Sequence, residues 1–364
     1  MTIAQNAALS QISYATDRLR PVRIWLYALA AMVLVMVMVG GMTRLTGSGL
    51  SITTWKPISG IIPPLSQADW IAEFEGYKLI PQYEVYNHWM TLEDFKGIFW
   101  WEWGHRFLGR MIGFAFAIPF LVFLFQRRLS RDMALPLVGL FVLGGFQGAL
   151  GWWMVSSGLT ELTSVSQYRL AAHLTAALLL LLALVWVARR MRPDRTEGPV
   201  TKGNISSVTI LLLLMVLQVA AGAFVAGLDA GMGFNTWPLM EGKFIPDGLG
   251  AYEPTWRSLF EHGLTVQFNH RMLAYIITIV TFVMLFRQIR GAGLGGVHRW
   301  MGVIAVLVVG QVTLGIATLL SMINVDLAVG HQGLAFILAS AICAYLADMT
   351  KTNALACGKI IPHL

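Results

Sequence analysis

The chain has 364 residues, of which 56% are hydrophobic and only 12% charged, with a mean hydropathy of +0.65. That balance excludes a soluble globular domain and identifies an integral membrane protein. The net charge of +7 and pI near 9.6 do not indicate a nucleic-acid partner, because the basic residues are interleaved with apolar spans and so report membrane orientation.

Residues 1–23 read as a tail without an apolar core ahead of Arg18, Arg20 and Arg23, so no cleaved signal is expected. Eight apolar segments follow, near 24–43, 105–126, 133–155, 168–188, 206–227, 267–286, 299–321 and 326–347. Each approaches the roughly 20 residues that a bilayer crossing needs. The predicted fold is all-α, with eight transmembrane helices in two tandem four-helix bundles. The first bundle occupies 24–190 with an outer loop at 44–103, and the second occupies 206–348 with an outer loop at 228–265. A linker at 191–205 joins them, and 349–364 is a tail.

Basic residues set the orientation. Arg127, Arg128 and Arg131, then Arg189, Arg190, Arg192, Arg195 and Lys202, then Arg287, Arg290 and Arg299, all fall on the side of the termini. The acids of the long loops, among them Glu93, Asp94, Asp229 and Glu261, fall on the other. The positive-inside rule therefore predicts both termini in the cytoplasm, or in the matrix of a mitochondrion, with both long loops outside; the weak match of the N-terminal stretch to a mitochondrial presequence favours a bacterial inner membrane.

The two halves repeat. TTWKPISGIIPP from Thr53 parallels NTWPLMEGKFIPD from Asn235, and His105-Arg106 matches His270-Arg271 at an offset of 165. Gln147 in FQGALG matches Gln311 in GQVTLG at 164, and His173 in AAHLTAA matches His331 in VGHQGLA at 158. Four spans repeated in the same order keep the same orientation, so the repeat is parallel.

Four of the eight histidines occupy repeated positions near the outer ends of even-numbered spans. Spans two and four of one bundle run in the same direction, so His105 can face His173 and His270 can face His331. Two imidazoles from facing helices are what a six-coordinate haem requires. Zinc fits less well, because a structural site takes four ligands and the outer side has no thiolate. The two cysteines, Cys343 and Cys357, form no CxxC pair, and CxxCH is absent, so such a haem is held non-covalently. Arg106 and Arg271 are placed either to meet haem propionates or simply to mark the interface. His88, His262, His298 and His363 read as structural or solvated.

The stretch FKGIFWWEWGHRFLGR, Phe95 to Arg110, distinguishes the halves. Glu102 lies three residues before His105, on the same helical face, and an ionisable group at a membrane boundary is a functional candidate. The matched residue of the second half is Gln267, so the acid is not repeated, and the aromatic run Phe99, Trp100, Trp101, Trp103 has no equal before His270. With the longer outer loop, this marks the first half for reaction and the second for a resident cofactor. An aromatic interfacial belt is the alternative reading of the run.

That stretch, with the four repeated histidines and the outer-loop TW elements, resembles the haem A synthase family from about residue 22 to 348. The resemblance implies an oxidoreductase acting on a methyl group. It would oxidise the C8 methyl of haem O to a formyl by two hydroxylations and loss of water, giving haem A for cytochrome c oxidase. It further implies that His105 and His173 hold the substrate haem iron, that His270 and His331 ligate a resident haem B, and that Glu102 is catalytic. Implied partners are lipid, haem O, an electron donor the sequence does not name, haem O synthase and oxidase assembly factors; a homo-oligomer is compatible with the family. Some bacterial members carry a cysteine pair in the first outer loop; its absence here points to the cysteine-free proteobacterial and mitochondrial branch. The rival reading is a bis-histidine cytochrome b passing electrons from quinol. It explains paired histidines but neither their confinement to one side nor the contrast between Glu102 and Gln267. A transporter is disfavoured by the scarcity of ionisable groups deep within the spans.

Overall fold

The computed structural model describes residues 18–192, 202–292 and 299–356. The far ends of both predicted tails, most of the linker, and Cys357, His298 and His363 lie outside the described residues. Eight long helices dominate: α1 (Arg20–Leu45), α2 (Leu92–Phe125), α3 (Arg131–Ser156), α4 (Gln167–Arg190), α5 (Lys202–Gly227), α6 (Gly263–Ala292), α7 (Arg299–Leu320) and α8 (Val325–Ala356). All eight are apolar and long enough to cross a bilayer, so this is a multi-pass membrane protein.

Helix boundaries follow local chemistry. Pro21 sits in the first turn of α1, where a missing N–H costs no helical bond. α2 begins thirteen residues earlier than hydropathy alone predicts. Thr91 caps it by accepting the Asp94 N–H at 3.3 Å, while the Asp94 carboxylate accepts from the Thr91 N–H at 2.9 Å and its hydroxyl at 2.7 Å. The aromatic run before His105 is therefore helical. The first outer loop accordingly spans 46–91 rather than 44–103, and the second connects Gly227 to Gly263.

Packing closes two rings. α1 meets α2, α2 meets α3, α3 meets α4, and α4 returns to α1; α5, α6, α7 and α8 do the same. The rings share a seam in which α8 lies against α1 and α4, and α4 against α5. Leu26, Leu29, Leu178, Leu184, Met215 and Phe336 are fully or almost fully buried in the common core. Lipid tails are as apolar as leucine, so association inside the membrane depends on close fit and polar contacts. The seam has both. The Gln332 amide of α8 donates to the Val37 carbonyl of α1 at 2.8 Å, and a β-carbon on Gly41 would come within 3.1 Å of the same side chain. At the opposite end Arg189 of α4 pairs with Asp348 of α8, which also accepts from Trp300 Nε1 at 3.0 Å.

The first outer loop carries its own small core, where water makes burial favourable. A loop helix, Gln67–Lys78, is capped by Ser66 and Asp69 and presents Phe74 and Tyr77 to Phe95 and Phe99 on the extended start of α2. Phe95 lies 5.0 Å from Phe74 and 5.3 Å from Tyr77, ring centre to ring centre. Tyr77 and Phe95 have no exposed surface, and each such burial contributes about 1.5–3 kcal/mol. The early start of α2 is thus what holds this loop in place.

Candidate functional site

His105 lies on α2, His173 on α4, His270 on α6 and His331 on α8. Each imidazole rests on a glycine of the preceding long helix. A β-carbon on Gly40 would meet His105 Cε1 at 2.9 Å; the corresponding distances are 3.2 Å for Gly151 and His173, 3.1 Å for Gly222 and His270, and 2.8 Å for Gly315 and His331. At Gly40 and Gly315 a side chain would force the ring to move, and at Gly151 and Gly222 it would crowd it. The side chains are partly buried, and Nδ1 of all four is itself buried with no hydrogen-bond partner. A buried polar atom left unpaired is costly, so four such atoms at matched places point to a ligand that engages the rings.

The rings are grouped in twos: His105 and His173 are within electrostatic reach of one another, as are His270 and His331. Among the described residues no three His, Cys, Asp or Glu side chains converge. Two imidazoles suit the axial positions of a haem iron better than the four ligands of a structural zinc site. In the second ring His270 and His331 line a cavity of about 310 Å3 together with Gly222, Gly315, Gln218, Gln311 and Arg271, a volume in the range of ligand pockets. Arg44 and Asp229, an ion pair at 2.7 Å, stand on its wall.

Glu102 is 2% exposed, and its carboxylate joins the start of the outer loop to its own helix. Its Oε2 accepts from the Ser51 hydroxyl at 2.8 Å and the Ile52 N–H at 2.7 Å, and its Oε1 accepts from Arg106 one turn later. Arg106 also donates to the Ile52 carbonyl at 2.8 Å and the Thr54 carbonyl at 3.1 Å. The second ring repeats the arrangement with the polarity changed. Gln267, 3% exposed, donates to the carbonyls of Phe234 at 2.8 Å and Ala230 at 3.2 Å, and accepts from Arg271, which itself donates to Phe234. A carboxylate can only accept, so the first loop offers it an N–H; an amide can donate, so the second loop offers carbonyls.

The two arginines then part company. Both Nη atoms of Arg106 are committed to the loop and Glu102, whereas Nε and Nη1 of Arg271 are buried without a partner beside the cavity. Of the aromatic run, Phe99 joins the loop core, Trp103 stacks on Phe107 at 4.8 Å, and Trp100 and Trp101 face outward, as belt residues do. His262 contacts the Thr265 hydroxyl at 2.8 Å and the Tyr252 ring at 5.0 Å, a structural role.

The four glycines and Gln218 escape a reading based on ionisable residues. Three of the glycines carry a signal nonetheless: Gln147-x3-Gly151, Gln218-x3-Gly222 and Gln311-x3-Gly315 recur along the chain.

Comparison with known proteins gives the following matches. A family model described as cytochrome oxidase assembly protein, COX15-CtaA, matches residues 23–343. The chain is 53% identical over 327 residues to the Heme A synthase of Azorhizobium caulinodans, covering 89% of this chain and 93% of that one. It is 47% identical over 351 residues to the Heme A synthase of Allorhizobium ampelinum, with 95% and 96% covered. The Heme A synthase of Parvibaculum lavamentivorans is 49% identical over 308 residues, with 85% and 88% covered.

Proposed function

The chain belongs to the COX15-CtaA family, and from that premise we propose that it carries out haem A synthesis, oxidising the C8 methyl of haem O to a formyl group through successive hydroxylations. The observation that carries this reading is the set of four imidazoles with buried, unpartnered Nδ1 atoms, paired across two helix rings and each seated on a glycine. His105 and His173 hold the substrate iron, and His270 and His331 hold a resident haem B facing the 310 Å3 cavity. A bound haem B supplies electron transfer, which no side chain of this site can supply.

The remaining roles belong to side chains. Arg271 receives a propionate on its two unpartnered nitrogens. Arg106 does so in the first pocket by yielding its bond to Thr54, the most exposed of its contacts. Glu102 orients water or accepts a proton next to the substrate. A carboxylate offers about four acceptor positions, and three are filled by Ser51, Ile52 and Arg106. The fourth, on Oε1, is the position assigned to chemistry.

Both termini lie on the cytoplasmic side of a bacterial inner membrane, with the haem sites towards the outer face. Supporting this, Arg18 bonds the carbonyl of Arg127, Arg128 bonds that of Arg18, and Arg23 bonds that of Met191, gathering basic residues at one end. Lipid surrounds the chain, haem O is its substrate, and an external donor provides electrons. Haem O synthase, oxidase assembly factors or a second copy of this chain are the partners to seek.

The test is reverse-phase chromatography with mass detection of haems extracted from detergent-purified protein expressed with a haem O source. Haem B together with haem O, a hydroxylated intermediate or haem A supports the reading. Haem B alone, at about two per chain, overturns it in favour of an electron-transferring cytochrome b.

A further inference from the structure

The four histidines are not held alike. One turn before each contacting glycine on α3, α5 and α7 stands a glutamine whose amide donates to the main-chain carbonyl of the facing histidine. Gln147 bonds His173, Gln218 bonds His270 and Gln311 bonds His331, each at 3.1 Å. The amides of Gln218 and Gln311 also lie 3.3 and 3.4 Å from Nε2 of their histidine rings. His173, His270 and His331 are thus each fastened at the backbone by a glutamine amide.

On α1 the residue one turn before Gly40 is Met36. Its Cε lies 3.2 Å from where a β-carbon on Gly109 would be, one turn beyond His105. Met36 therefore fills the place between helices that glutamine fills elsewhere, but a thioether has no N–H to give. His105 is located by its fit on Gly40 without the amide that fastens the other three.

We propose that Met36 is a positioning residue that makes His105 the releasable ligand, so that the first pocket exchanges its haem while the second retains one. This rests on the reading above, in which the first pair binds a substrate that must leave as product and the second binds a resident cofactor. A hydrogen bond inside a membrane protein corresponds to roughly a 3- to 20-fold effect on such an equilibrium. That is enough to separate a turnover site from a cofactor site without changing the ligand type.

The experiment loads full-length protein in detergent with haem B and haem O, adds excess apomyoglobin as haem acceptor, and follows each haem by chromatography. In the wild type the farnesylated haem should leave faster than haem B. Met36→Gln should slow its departure roughly 3- to 20-fold and leave haem B unaffected. Gln147→Met, which removes the amide opposite, should speed it, and Gln218→Met should speed loss of haem B alone. If both Met36→Gln and Gln147→Met leave the farnesylated haem's rate at the wild-type value, or alter both haems equally, the proposal is overturned. Wild-type protein that binds neither haem refutes the functional reading itself, a separate failure visible before any variant is made.

Discussion

Replacing Glu102 by glutamine separates an anchor from a reactant. The isosteric amide can still accept the Ile52 N–H, but its NH2 then faces the Arg106 guanidinium, donor against donor, and the charge is gone. Bonds to charged groups contribute about 1.5–3 kcal/mol and neutral ones about 0.5–1.5. Three weakened contacts, from Ser51, Ile52 and Arg106, therefore remove about 2–4 kcal/mol. Glu102→Ala strands two loop donors and leaves the part-buried Arg106 charge without its carboxylate, and should remove about 3–5 kcal/mol. The assay pairs limited proteolysis of loop 46–91 with thermal unfolding in detergent and haem A yield. The expected Glu102→Gln protein keeps its haem, loosens the loop and forms no haem A. A variant that resists protease and makes haem A as the wild type does would refute both roles. One that loses loop stability but still makes haem A would leave Glu102 as an anchor alone.

Other outcomes can be checked in parallel. Gly222→Ala, which drives a methyl to within 3.1 Å of His270 Cε1, should remove most of the haem B absorbance per chain. Gly139→Ala, with nothing within 4 Å, should be neutral or stabilise by about 0.5–1 kcal/mol. Asp348→Ala leaves Arg189, only 9% exposed, without the carboxylate that bridges it to α8, and should cost about 3–5 kcal/mol in detergent melts. The Glu261 carboxyl is held below its ordinary 4.5 by hydrogen bonds from Arg257 and then Tyr168. Because the folded value is the lower, that contact is fully stabilising above 4.5 and is lost as pH falls through the folded value. Hydrogen-exchange protection of residues 255–261 should therefore drop only in acid, and Glu261→Gln should abolish the dependence.

Span number and the matched histidines were legible in the sequence because hydropathy and ionisable residues in apolar surroundings are strong signals. The start of α2 was not, since Leu92 to Trp103 is amphipathic and lies outside any apolar window; its signal was the Thr91–Asp94 cap. Glu102 was legible as a candidate but not as the acceptor of Ser51 and Ile52, partners fifty residues away in sequence. Glycine and glutamine are weak signals singly, since neither titrates. Only the facing helix reveals that Gly315 is a seat for His331, and only then does Met36 stand out as the exception.

The two adjacent glycines of α1 carry a consequence for modularity. Gly40 receives His105 from its own ring, and the next residue, Gly41, receives Gln332, the neighbour of His331, from the other. The positions matched to Gly41 and Gln332 by the repeat are Ala223 and Leu174, so this polar joint has no mirror image across the seam. A chimera that takes the first half from one relative and the second from another must therefore match Val37 and Gly41 to Gln332. The exchangeable unit is not the four-helix half but that half less α1, which belongs to both pockets at once.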